Sequence, residues 1–254
     1  MKSFLSMWLK CRPFFATLLL LFTWACQEET TVEMTPEEDG ELHSILFIGN
    51  SHTDYNGGVD QQLEQLISGA DSLTVGDIQR EAPGGYTLMD HYRSPATQNL
   101  LGSKKWDLVV LQENTYEAYT HPQELAGSVE KFFFELFQKG TMLSFFMTWP
   151  YRDSLQMYPV LKEAYQHPSV TYYGQTIPIG IAWYEARTNQ KPYDLYNEDG
   201  IHPSPAGTFF TACLFYAFLF ERNPARSRYM GQEINPDLAN QLKSDAWVFY
   251  LGHH

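Results

Sequence analysis

Three short apolar runs limit the fold more than any other feature: "SILFIG" from Ser44, "WDLVVLQ" from Trp106 and "TMLSFFMTW" from Thr141. Each is continuous rather than alternating, the pattern of a strand covered on both faces. "TVGDIQREA" supplies a further strand. Between the runs, apolar residues recur at helical spacing. Val59, Leu63, Leu66, Ile67 and Ala70 form one stripe, and Leu125, Val129, Phe132, Phe133, Leu136 and Phe137 form a broader one. "YTLMDHYRSPATQNLL" predicts a helix interrupted by proline, and "DSLQMYPVLKEAYQ" a helix carrying one awkward proline. "PSPAGTFFTACLFYAFLF" is apolar nearly all round and therefore predicts a buried helix. "NPDLANQLKSDAWVFYL" predicts a terminal helix opening at Asn235-Pro236, with Leu238, Leu242, Ala246 and Phe249 on one face. Strands alternating with helices imply parallel pairing and right-handed crossovers, hence a three-layer α/β/α sandwich with a mainly parallel central sheet.

The sandwich accounts for residues 43–254, and the chain before it is of another kind. Lys2, Lys10 and Arg12 precede the apolar "FFATLLLLFTWA", which falls short of the roughly 20 residues a membrane span needs. Residues 1–25 read as a cleaved export signal. "LFTWAC" resembles a bacterial lipobox, which makes Cys26 the lipid-bearing first residue of an anchored protein. An ordinary signal peptide with an incidental cysteine is the competing reading. Residues 26–42 are acidic and poor in large apolar side chains, as in a flexible tether. The cysteines are Cys11, Cys26 and Cys213, so once the leader is removed and Cys26 acylated no intrachain disulfide can form; Cys213 belongs to the apolar helix as a small core residue.

The formal net charge is −13, and the leader holds three of the 17 basic residues and none of the acidic ones, so processing makes the chain more acidic still. Such a surface excludes nucleic acid as a partner, because phosphate neutralisation needs a basic face.

In parallel sheets of this kind, ligands bind beyond the carboxyl ends of the strands. That rule gathers four loops into one crevice: Gly49-Asn50-Ser51, Gly84-Gly85, Gln112-Glu113-Asn114 and Thr148 to Arg152. "NEDGIHPSPAG" precedes the apolar helix and folds over the same edge. In chain order these segments resemble the blocks of the SGNH (GDSL-like) hydrolase family, whose fold is flavodoxin-like. Ser51 stands in "GNS" where many members have GDS, Gly85 in "GGYT" matches the second block, and Asn114 in "LQENT" falls in the third. Asp199 and His202 form the D-x-x-H of the last block. The matches span residues 45–207. One branch of the family reads GNS followed by an aromatic and Thr, with a third block in Q-E; here His52 takes the aromatic position.

The residue types suit acyl transfer. A serine hydroxyl needs a base beside it, an imidazole is largely able to accept a proton near neutrality, and a carboxylate three residues earlier can orient that imidazole. The resemblance implies a Ser51–His202–Asp199 serine esterase. Its oxyanion donors are Ser51, Gly85 and Asn114, with Gln112 as the alternative to Asn114. The G-x-S-x-G elbow of α/β-hydrolases is absent.

The family suggests small acyl groups, O-acetyl esters on carbohydrate in the cell envelope, with neither metal nor organic cofactor. Lipase or thioesterase activity, or a catalytically silent glycan-binding lipoprotein on the same fold, are the alternatives. His52 with Asp54 has no cysteine or histidine cluster to complete a metal site, so structural packing or pocket lining is the reading for His52; Trp149, Tyr151 and Arg152 are pocket candidates, with core packing and a surface salt bridge as equally good readings. His91 and His121 are expected to be solvated.

Overall fold

The structure, a computed structural model, describes residues 42–71 and 73–254. The expected leader, Cys26 and all but the last residue of the acidic segment lie outside the described residues. Among the described residues, no helix is long and apolar enough to cross a membrane.

Among the described residues, five strands form one all-parallel sheet: β1 (Ser44–Ile48), β2 (Asp77–Glu81), β3 (Leu108–Leu111), β4 (Met142–Phe146) and β5 (Gln175–Ile177), in the order β2-β1-β3-β4-β5. The chain winds outward from β1 to β2, then returns across β1 to build β3, β4 and β5. The reversal between β1 and β3 opens the crevice in which such sheets bind ligands.

Side-chain alternation along the strands divides the core into two. Ile45 and Phe47 of β1, Leu108 and Val110 of β3 and Phe146 of β4 face one helical layer. Leu46, Ile48, Val109, Leu111, Leu143 and Phe145 face the other. The first layer holds α2 (Val59–Ser68), α9 (Pro205–Phe220) and α10 (Pro236–His253), with residues of α8 (Ile179–Thr188) joining it. The second holds α3 (Leu88–Arg93), α4 (Pro95–Gly102), α5 (Thr115–Thr120), α6 (Pro122–Phe137) and α7 (Tyr158–Thr171). α9 is apolar all round because α2 and α10 pack against it while its Phe215 meets Phe47 and Phe146 of the sheet. Cys213, in the middle of α9, is a free and fully buried thiol.

The prolines explain two departures from the expected helices. Ser94 caps α4 with Pro95 in its first turn, so the stretch after Tyr86 forms two helices rather than one kinked helix. Pro159 lies in the first turn of α7, where no intrahelical N–H is needed, and a short 3-10 turn, Leu155–Met157, precedes it. β5 and α8 are additions: the strand is only three residues long and sits at the edge of the sheet.

Candidate active site

The nucleophile candidate enters on a loop braced from several sides. β1 ends at Ile48, and Gly49 follows at a point of close approach. A Cβ there would lie 2.5 Å from Thr53 Oγ1 and 2.6 Å from Gln112 Oε1, so only glycine fits. Gln112 Oε1 accepts hydrogen bonds from Asn50 N at 2.8 Å and Thr53 Oγ1 at 3.0 Å. Asn50 caps the short helix α1 (Ser51–Asp54) by accepting from His52 N, and its Nδ2 donates to Tyr86 O at 2.9 Å. Ser51 is thereby held at the first position of a helical turn directly beyond β1.

His202 and Asp199 come from a loop fastened just as firmly. Asp199 Oδ1 accepts from the backbone N–H groups of Ile201 and His202, both at 2.9 Å. Asn197 N donates to His202 O, and an antiparallel bridge joins Tyr196 to Pro203. Arg152 clamps the loop: its Nη2 donates to Asn197 O, Tyr196 O and Asp194 Oδ2, and its backbone N–H donates to Gly200 O. Trp149 Nε1 donates to Ile201 O. Asn56 Nδ2 bridges this loop to the serine loop, donating to Pro203 O at 2.9 Å and Thr208 Oγ1 at 2.8 Å.

These braces bring three side chains into line. Ser51 Oγ lies 2.9 Å from His202 Nε2, and His202 Nδ1 lies 2.6 Å from Asp199 Oδ2. With Nδ1–H donating to the carboxylate, Nε2 is left to accept the serine proton. Burial alone would push the Asp199 carboxyl up. Hydrogen bonds from the His202 ring and from the Ile201 and His202 N–H groups outweigh it and hold the carboxyl at about 2, so Asp199 stays ionised. Tyr55 stacks parallel to the His202 ring with centroids 4.2 Å apart. The ring therefore has one face covered and both nitrogens engaged.

The two amide candidates separate cleanly. Gln112 is buried, its Oε1 is taken by Asn50 and Thr53, and its Nε2 donates to Glu113 O at 2.6 Å. Gln112 is a brace beneath the serine loop. Asn114 instead caps α5: its Oδ1 accepts from Tyr116 N and Glu117 N, which turns Nδ2 toward the Gly85 loop, where it donates to Gly85 O at 3.3 Å. Gly85 has φ +79° and a position where a Cβ would meet nothing within 4 Å, so that loop is open to an approaching ligand.

The structure decides between the alternatives left open by the sequence. His52 is a packing residue: it is buried against Trp149 at 4.8 Å and His202 at 5.6 Å between ring centroids, with Nε2 3.3 Å from Thr115 Oγ1. Burial, reinforced by His202, lowers it to about 3, so it stays neutral beside the triad. Trp149 is fully buried and stacked on Trp183, and Arg152 bonds the Asp199 loop. Tyr151 is half-buried and packs against the second core cluster.

His91 is not solvated. It is fully buried, its Nε2 is 2.6 Å from Gly49 O and its Nδ1 is 2.9 Å from Thr97 Oγ1, and burial lowers its pKa. With Nε2–H donating to Gly49 O, it fixes the residue two before Ser51. The sequence gives no sign of this, because the bond spans 42 positions. Asn50, Tyr55, Asn56 and Glu113 are further site residues whose roles appear only in three dimensions. Among the described residues, no group of three or more His, Cys, Asp or Glu side chains could hold a metal ion.

Comparison with known proteins bears on the fold. No family model and no curated protein matches the chain. Solved structures do. A DUF4886 family protein from Bacteroides uniformis superposes with a TM-score of 0.68 at 20% identity, covering 82% of this chain and 94% of that one. A protein from Slackia heliotrinireducens assigned to the SGNH hydrolases gives 0.58 at 28% identity, covering 68% and 96%. Axe2, an acetylxylan esterase from Geobacillus stearothermophilus, gives 0.59 at 16% identity, covering 74% and 99%. The fold is an α/β/α sandwich of the kind seen in SGNH, GDSL-like, hydrolases.

Proposed function

We propose that the protein is a serine ester hydrolase that removes small acyl groups, O-acetyl above all, from carbohydrate. The observation that carries the reading is the Ser51–His202–Asp199 relay, with both hydrogen bonds formed and the carboxylate ionised. In the proposed reaction His202 Nε2 takes the Ser51 proton as Oγ attacks the ester carbonyl. The tetrahedral oxyanion is met by the Ser51 and Gly85 N–H groups and Asn114 Nδ2. His202 returns the proton to the leaving alcohol, and a water activated by the same imidazole hydrolyses the acyl-enzyme. A neutral His52 under the ring adds no second positive charge against the imidazolium that forms.

Aromatic side chains on the site loops support a carbohydrate carrier. Tyr86 follows Gly85, Tyr116 follows Asn114 and is 59% exposed, and Tyr151 follows β4. Rings with a polar tip suit sugar faces, and the structurally similar Axe2 acts on acetylated xylan. Cys26 as a lipid anchor in the cell envelope completes the proposal, resting on the lipobox-like "LFTWAC".

The test is acetate release from acetylated xylo-oligosaccharides beside hydrolysis of p-nitrophenyl acetate and p-nitrophenyl palmitate. Turnover of both acetyl substrates and not of the palmitate is expected. Preference for the long chain would replace this reading with a lipase, and no turnover of any ester with a folded protein would replace it with a binding protein. Separately, Cys26→Ser should release the protein from membrane fractions; unchanged partitioning would refute the anchor.

A further inference from the structure

We propose that Glu113 is a positioning residue of the oxyanion site: its buried carboxylate ties the loop bearing Gly85 to the loop bearing Asn114 and sets the spacing between donors that follow different strands. This inference rests on the esterase reading above.

Glu113 is 1% exposed, an unusual place for a carboxylate. Its Oε1 accepts from Asn114 N at 2.7 Å and Leu88 N at 3.1 Å, and Oε2 accepts from Leu88 N at 3.2 Å. Leu88 opens α3 three residues after Gly85, with Thr87 and Asp90 forming a capping box around that start. One side chain therefore grips the Gly85 loop and the Asn114 backbone together. The remaining links between these loops are weaker or indirect: Asn114 Nδ2 to Gly85 O at 3.3 Å, and Asn50 Nδ2 to Tyr86 O. Glu113 is itself fixed from behind, its N–H donating to Tyr165 OH of α7.

The arrangement costs stability, which argues for a purpose other than folding. Burial pushes the Glu113 carboxyl up to about 7. The Asn114 and Leu88 N–H groups pull it down, while Glu117 of α5 and Asp90 of α3 push it further up. A carboxyl raised in the folded state above its unfolded value of 4.5 weakens folding as pH rises from 4.5 through 7, because the folded chain resists giving up the proton. An apolar residue would avoid the desolvated charge but leave the Leu88 and Asn114 N–H groups unpaired. What an apolar residue lacks is the acceptor Oε1, which reaches both loops, and Oε2, which backs it on Leu88 N. When the carboxyl is protonated, one oxygen becomes a donor directed at the Leu88 N–H, and the grip loosens.

Glu113→Gln keeps the volume and fixes that loosened state at every pH. The test measures kcat, KM and Tm of the purified full-length protein and of E113Q between pH 5 and 9, with p-nitrophenyl acetate as substrate. Expected are a kcat lowered about tenfold at pH 8 with KM within about twofold, since small misplacement of a donor acts on the transition state. The acid limb of kcat should show two ionisations in wild type and one in E113Q. Tm at pH 8 should rise in E113Q, as the cost of ionising the buried carboxyl is gone. Wild-type kcat and an unchanged acid limb in E113Q would overturn the proposal, and so would a Tm that falls along with kcat, the mark of a plain structural brace. If E113Q does not fold, the wild-type profile decides, a single ionisation in its acid limb being the contrary result. A wild type that neither turns over the ester nor takes a fluorophosphonate on Ser51 overturns the esterase reading and this inference with it, and is distinguishable from loss in E113Q alone.

Discussion

At the carboxyl ends of β1 and β3, Asn50, His52, Thr53, Gln112, Glu113 and Thr115 are all buried and all hydrogen-bonded. At the amino ends of β4 and β5, by contrast, Phe137, Met142 and Tyr173 stand 66%, 55% and 94% exposed around a cavity of about 500 Å³ lined also by Leu42, Phe133 and Tyr172. One sheet thus ends in two opposite ways. Burying a polar group costs about 1–3 kcal/mol unless it is paired, so a dense polar cluster persists only where each member finds its partner, which fixes the geometry of these loops. Scattered apolar exposure needs no such account. That cavity lies at the opposite end of the sheet from the Ser51, His202 and Asp199 side chains.

The sharpest way to break the contrast is to remove the relay. Ser51→Ala and His202→Ala should each lower kcat/KM by about 10⁵-fold with little change in Tm, and Asp199→Asn by about 10⁴-fold. Steady-state kinetics beside thermal melts check this, and retention of more than a tenth of wild-type activity in any of them would break it. Next in size, Asn114→Ala should cost about 10²-fold in kcat. Gln112→Leu should instead lower stability by about 2–3 kcal/mol, because it orphans Asn50 N and Thr53 Oγ1. Urea denaturation with kinetics separates the two roles, and a Gln112 variant of normal stability but low kcat would reverse the assignment.

A smaller effect concerns His52. Its folded pKa of about 3 lies below its ordinary 6.5, so it stabilises the neutral folded form fully above pH 6.5 and loses that contribution as pH falls from 6.5 toward 3. His52→Phe should flatten the decline of Tm across that window; an identical slope would show that His52 is not kept neutral. Smallest of all, Phe137→Ser and Met142→Ser at the amino end should change stability by no more than about 0.5 kcal/mol and leave kcat alone. A loss of activity from either would couple the two ends and void the comparison.

Legibility in the sequence follows the same divide. β1, β3 and β4 were readable because strands covered on both faces are continuous apolar runs, and α9 because a helix covered all round has no polar face. Ser51 stands out in the sequence because its loop follows a recognisable strand, whereas Asp199 and His202 lie between α8 and α9 and stand out only through the resemblance of "DGIH" to the last family block. β5 was not, since three edge residues, Gln175–Ile177, carry no periodicity. Trp149 and Arg152 read as pocket candidates because a loop beyond a strand points at the crevice, yet their bonds to Ile201 O and Asn197 O turn both toward the Asp199 loop. His91 and Glu113 were illegible for a common reason: each acts through backbone groups of another loop, Gly49 O and Leu88 N, and backbone partners leave no mark in side-chain identity.

The central claim is that Ser51 is an activated nucleophile. Reaction of the purified protein with a fluorophosphonate, read by intact mass beside Ser51→Ala and His202→Ala, tests it most directly. The account predicts one label on wild type and none on either variant. An unlabelled, well-folded wild type, or a label that survives Ser51→Ala, would contradict it.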